Sequence, residues 1–133
     1  MEKQYIYILG NTKNLDIIKV GETNRHPETR AIELTKQTGT IGKYFVEWSM
    51  EVPASKLAER VAHYKLKEFH FQEDKEQFEI SAYDAHSILE QFIIPLFEIE
   101  KPVIFYSEAL KKKIKIEKAK VNVRKALELA LTP

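Results

Sequence analysis

The stretch that most restricts what this chain can fold into is residues 4–21, QYIYILGNTKNLDIIKVG. Tyr5, Ile6, Tyr7, Ile8 and Leu9 alternate aromatic and aliphatic, and Asn11, Thr12, Lys13 and Asn14 supply a turn. Ile17, Ile18, Lys19 and Val20 form a second short run, stopped by Gly21. Alternation on both sides of a polar turn predicts a β-hairpin. A register with Tyr7 opposite Lys19 pairs Ile6 with Val20 and Ile8 with Ile18. Side chains alternate along a strand, so this register sends the four aliphatics to one face and Tyr7 with Lys19 to the other. One face is then core, and the other presents a phenol beside an ammonium.

With 133 residues the chain can build one domain around a real core, plus a short appendage. It has no cysteine, which excludes disulfides, thiolate metal sites and a cysteine nucleophile, and fits a reducing compartment. No basic-then-apolar leader opens the sequence and no apolar run approaches a membrane span. The expectation is a soluble cytoplasmic protein without a membrane partner, with a place at the nucleoid or in the nucleus left open. The net charge of +1 hides an asymmetry: residues 101–133 carry nine Lys/Arg and three Glu, about +6, and the first hundred about −5. A basic tail on an acidic body points to a polyanionic partner, or to a solvated helix face.

After Gly21, Asn24 or His26 can cap a helix with Pro27 at its first position and Glu28 in its first turn. Ala31, Ile32 and Leu34 continue it and Thr38-Gly39 ends it. Residues 43–52 read as a strand. Pro53 opens a second helix with Leu57, Ala58, Val61, Ala62 and Phe69 on its apolar stripe and Glu59 and His63 beside it. Residues 76–80 read as a short strand. Ser81 and Asp84 form a capping pair for a third helix that Pro95 stops or kinks. A strand at 103–106 and a Ser107-capped, lysine-rich helix complete the order, although residues 113–116 could instead be extended. Ile116, Ala119, Val123, Ala126 and Ala130 recur at three- and four-residue spacing, as in a helical seam.

Four polar residues stand out. Tyr7 and Lys19 share a hairpin face. Arg30 sits near the start of the first helix, where free backbone N–H groups and the dipole also favour phosphate oxygens. Glu59 borders an apolar helical face, and one carboxylate with waters and substrate phosphate can hold a hard cation such as Mg²⁺. Together they read as a phosphodiester-cleaving set. Each also has a plain structural reading. Tyr7 can be a half-buried strand aromatic and Lys19 a solvated one. Arg30 can pair with Glu33, Glu59 with Lys56, and His63 can be a partly buried packing residue.

The order of these elements resembles the GIY-YIG nuclease superfamily. The nearest branch groups phage open-reading-frame domains with a meiotically up-regulated yeast gene product. Tyr5-Ile6-Tyr7 stands at the first motif and Ile18-Lys19-Val20-Gly21 at the second. The runs 21–31, 58–63 and 76–78 follow in that branch's order, so the likeness covers about residues 4–92. It implies a small three-stranded antiparallel sheet flanked by helices, an α/β (α+β) fold, and Mg²⁺- or Mn²⁺-dependent hydrolysis of DNA phosphodiesters. By that resemblance Tyr7 works with the attacking water, Arg30 stabilises charge on the phosphorus centre, and Glu59 holds the metal. Two departures are visible: Tyr5 replaces the first glycine of the name and Lys19 replaces the second motif's tyrosine. A nearby ammonium favours phenolate, so Lys19 is expected to assist Tyr7 as a base. Tyr5, Gly21, His63 and Glu76 take supporting places.

The resulting expectation is a nuclease-like domain over residues 1–98 and a helical extension over 99–133, with DNA as partner. Its rival is a catalytically silent nucleic-acid-binding module using Lys111, Lys112, Lys113, Lys115 and Lys118. A third expectation is weak homo-oligomerisation through the alanine-rich seam.

Overall fold

A computed structural model describes residues 2–72 and 74–132. The hairpin forms as β1 (Gln4–Asn11) and β2 (Asn14–Thr23), followed by α1 (Pro27–Thr35), β3 (Tyr44–Val52) and α2 (Ser55–Lys65). A 3₁₀ turn (Lys67–Phe69) then leads to β4 (Gln77–Glu79), α3 (Ala82–Leu96), β5 (Ile104–Tyr106) and α4 (Glu108–Leu131).

All strand pairs are antiparallel, in the order β4-β2-β1-β3-β5. The sheet therefore has five strands, not the three expected. β1, β2 and β3 form its centre, and two three-residue strands extend it, β4 on β2 and β5 on β3. Both were legible as short strands; the count of three came from the family resemblance, which has no place for them. The overall class is still α+β.

The hairpin register also differs. Tyr7 lies opposite Gly21, Ile8 opposite Val20 and Leu9 opposite Lys19, with the pairing slipping between Leu9 and Asn11. That irregularity absorbs β2 residues near the turn and slides the strands by two. An even slide keeps every side chain on its expected face.

Ile6, Ile8, Ile18 and Val20 join Trp48, Met50, Ala58, Ala62, Leu89 and Ile93 in the larger core, under α2 and α3. The opposite face is not bare. α1 covers it, and Tyr7 and Leu9 pack with Ala31, Leu34 and Val46 in a second, smaller core. Pro27 starts α1 as expected, because its fixed φ suits the first helical position.

Beyond the boundary expected at residue 98, β5 pairs with β3 and Leu110 enters the larger core. Ser107 caps α4, its Oγ accepting from Leu110 N–H at 3.0 Å and donating to Glu47 at 2.6 Å. Residues 113–116 are helical. From Lys118 to Thr132 every residue is exposed, including Ala119, Val123, Ala126 and Ala130 of the seam. No helix among the described residues is long and apolar enough to cross a membrane.

Candidate active site at the open edge of β2

β4 covers only Ile17 to Lys19 of β2, and its last contact is Val20 N–H donating to Glu76 C=O at 2.9 Å. Alternate residues of a strand aim their backbone groups to the same side. The N–H of Glu22 therefore points out of the sheet where no strand follows, and the Glu59 carboxylate on α2 comes near enough for that N–H to favour its ionised form. One turn on, His63 Nε2 donates to Val20 C=O at 2.7 Å, which fixes the tautomer, since a carbonyl only accepts. His63 also packs on Phe78 of β4, with ring centroids 5.3 Å apart. These contacts hold α2, and with it Glu59, against the edge.

Tyr7 reaches the same place from the other face. It is 1% exposed, and its ring lies across Gly21: a Cβ built there would stand 2.5 Å from the Tyr7 hydroxyl. This close approach is why the position takes glycine. Arg30, on the fourth residue of α1, brings its guanidinium to the phenol and favours its ionised form. Burial raises the Tyr7 pKa to about 12; Glu76 and Glu59 push in the same direction, and the Arg30 guanidinium opposes them. Glu59 is shifted upward as well, first by desolvation and further by Glu76 and Glu22, against the lowering effect of His63.

The fold thus brings Tyr7, Arg30, Glu59 and Glu76 together around Gly21. Arg30 approaches Glu33 at 3.8 Å, but the close partner of Glu33 is Arg25, with two hydrogen bonds of 2.7 and 3.0 Å. Lys19 is placed otherwise than expected. Its Nζ lies 3.3 Å from Asp74 and 4.0 Å from Glu76. The groups that act most strongly on Tyr7 are Glu76, Arg30 and Glu59, and the phenol is pushed away from phenolate. Tyr5 stacks obliquely near His26 at the start of α1, with centroids 6.1 Å apart.

Residues 4–93 match the T5orf172 domain model. The chain belongs to the T5orf172 domain family. The matched span runs from β1 nearly to the end of α3, so every residue of the cluster lies inside it, and β5 and α4 lie outside. No curated protein and no solved structure matches the chain.

Within this T5orf172 domain three contributors were not visible in the sequence. Glu22 supplies the edge N–H and binds Ser55 Oγ at 2.6 Å, Asp74 takes Lys19, and Arg25 neutralises Glu33. Asp74 is 55 residues from Lys19, beyond any local pattern. Among the described residues no group of three or more His, Cys, Asp or Glu side chains is arranged as a metal cage. The donor set is instead one carboxylate flanked by two others. Desolvation first, and then the like charge of Glu76 and Glu22, raises the Glu59 pKa; a hard divalent cation would relieve that repulsion, and hard oxygen donors suit such an ion.

The lysines of α4 sit elsewhere. Lys111, Lys115 and Lys118 line a cavity of about 430 Å³ with His86, Glu90 and Tyr106. Glu90 there accepts from Trp48 Nε1 at 3.0 Å and from the Tyr106 hydroxyl at 2.8 Å. Lys112 and Lys113 are not part of that lining.

Proposed function

We propose that this T5orf172 domain is a divalent-metal-dependent DNA endonuclease of the GIY-YIG type. One observation carries the reading: a buried phenol crosses a glycine to meet an arginine, Glu59 and Glu76 at an open sheet edge. Such an edge admits an extended polyanion, and the groups around it are those phosphodiester hydrolysis needs.

Glu59 would hold Mg²⁺ or Mn²⁺ in this reading, with Glu22 and Glu76 adding negative field. When bound, the ion polarises a phosphate oxygen and acidifies a water. Arg30, beside the phenol, stabilises charge developing on the phosphorus centre, a contribution typically worth about a hundredfold. With a pKa of about 12, Tyr7 stays protonated at neutral pH. It therefore orients the attacking water, and a role as base requires that its proton first leave. Glu76, the carboxylate acting most strongly on the phenol, is the acceptor at hand. Lys19 works through Glu76, as a positioning residue, and His63 positions Glu59 by tying α2 to Val20.

A nicking assay on supercoiled plasmid and single-stranded DNA with Mg²⁺ or Mn²⁺ tests this. Cleavage is expected to disappear in Tyr7→Phe and Glu59→Ala, and unmutated rates in both would remove the site assignment. A silent nucleic-acid-binding module is the second reading, favoured by the exposed basic face of α4. In that case binding without turnover would depend on Lys111, Lys115 and Lys118. Self-association through the α4 seam would be weak, because the helix brings like charges together.

A further inference from the structure

A cavity of about 570 Å³ opens beside the Tyr7 cluster, between the end of β2, the start of α1 and the loop from β3 to α2. Its size is that of a small-molecule site rather than of a duplex groove. Three kinds of wall meet in it. Arg30 and Lys56 supply cations, Gln4 and Asn24 supply amides, and Pro53 and Leu57 supply apolar surface. Arg30 belongs both to this wall and to the Tyr7 phenol, so the cavity adjoins the proposed reaction centre.

The polar groups are available. Gln4 Oε1 accepts from Ser55 N–H at 2.8 Å, which orients the amide and leaves its two N–H donors over. Among the described residues Asn24 makes no side-chain hydrogen bond and Lys56 no ion pair. Leu57 is 46% exposed on a helix whose neighbouring positions face the core. Glu22 also lines the cavity, but it lies toward Glu59 and is tied to Ser55 Oγ. Glu2 is a second carboxylate of the lining, so the cavity carries charges of both signs.

We propose that this cavity takes one unstacked nucleotide of the substrate strand, next to the phosphate that is cleaved. The cations hold its phosphate, the amides read the base edge, and the Pro53–Leu57 wall covers the base face. The proposal rests on the nuclease reading and narrows its substrate. A base inside a duplex cannot enter such a cavity without leaving its stack, whereas an unpaired one can. The preferred substrate is therefore single-stranded DNA, or duplex locally opened at the cleavage point.

The test uses the full chain and a labelled 20-nucleotide DNA of mixed sequence, single-stranded or annealed to its complement, in fluorescence anisotropy without divalent ions. The single strand is expected to bind about tenfold more tightly. Asn24→Ala and Lys56→Gln should each weaken single-strand binding about tenfold, with unchanged melting temperature and recovery in Lys56→Arg. In cleavage, both should raise KM and leave kcat in place. Equal affinity for the two DNAs, or variants that bind as the parent does, would overturn the proposal. If single strands bind as described but no DNA is cut with Mg²⁺ or Mn²⁺, the nuclease reading fails and the nucleotide cavity stands. If DNA is cut but Asn24→Ala and Lys56→Gln keep the parental KM, the cavity fails and the nuclease stands.

Discussion

Gly21→Ala is the most informative single change, because it perturbs the phenol without removing any polar group. The new Cβ would stand 2.5 Å from the Tyr7 hydroxyl, 2.7 Å from Cζ and 3.0 Å from Cε1. A comfortable contact needs about 1 Å more. The ring cannot swing aside, since it is packed with Leu9, Ala31, Leu34 and Val46. Either the phenol moves by about that ångström or β1 and β2 separate. Overpacking of this kind costs about 1–3 kcal/mol. At about 4 °C per kcal/mol for a domain of this size, the melting temperature should fall by roughly 4–12 °C. Misplacing a reacting group by about 1 Å costs on the order of a hundredfold in rate. The assay is plasmid nicking at saturating Mg²⁺ beside a thermal melt followed by circular dichroism. In the Tyr7→Phe background the same substitution should cost little further activity, because the hydroxyl whose position matters is already gone. A Gly21→Ala protein with parental activity and melting temperature would refute the idea that the reach across glycine places the phenol.

Glu59→Gln should abolish cleavage yet raise stability at pH 7, by at most about 1 kcal/mol after solvent screening. The sign follows from the raised carboxyl pKa. The folded state binds the proton more tightly than the unfolded one, so stability falls as pH rises from the ordinary carboxylate range through the raised value. Added Mg²⁺ should then stabilise the parent and not the variant, which calorimetry reads directly. Tyr7 titrates from an unfolded value of 10.0 to about 12 in the fold, so its contribution to stability is full below pH 10 and is lost above it. Tyr7→Phe should accordingly resist alkaline unfolding better than the parent, measured by melts between pH 9 and pH 12. If α4 contacts DNA, replacing Lys111, Lys115 and Lys118 with Gln should reduce the slope of log K against log salt by about 2–3. An unchanged slope would remove α4 from the interface.

The hairpin was legible because its alternation leaves few other foldings for residues 4–21. Pro27 and Ser81 marked helix starts through backbone chemistry confined to a few residues. Register was harder: a slip near Leu9 moves every cross-strand partner by two and preserves the faces, so no hydrophobic pattern reports it. The face of Tyr7 looked solvated because nothing in the hairpin announces that α1 returns to cover it. The surroundings of Lys19 were hidden for the same reason. Its partners, Asp74 and Glu76, arrive from a loop more than fifty residues on, beyond the reach of any local pattern.

The cluster exists because two short features coincide at one strand edge. β4 begins only at Gln77 and its pairing with β2 ends at the Glu76 carbonyl, which leaves the Glu22 N–H facing Glu59, a residue of the helix on one face. Gly21 has no side chain, which lets Tyr7 and its Arg30 partner arrive from the other face. A longer β4 would hide the edge from a polyanion, and any side chain at position 21 would separate the phenol from the carboxylates. Charges of both signs can then meet at the edge without being fully buried, where isolated ionised groups are costly. The same geometry adds to the rise that burial imposes on the phenol's pKa: the carboxylates that would gather a cation also resist phenolate. Neutralising them should bring the Tyr7 pKa down toward its ordinary value, so the Glu59→Gln/Glu76→Gln protein should show one tyrosine ionising earlier in an absorbance titration at 295 nm. If that titration matches the parent's, the carboxylates do not act on the phenol and the site is not a unit.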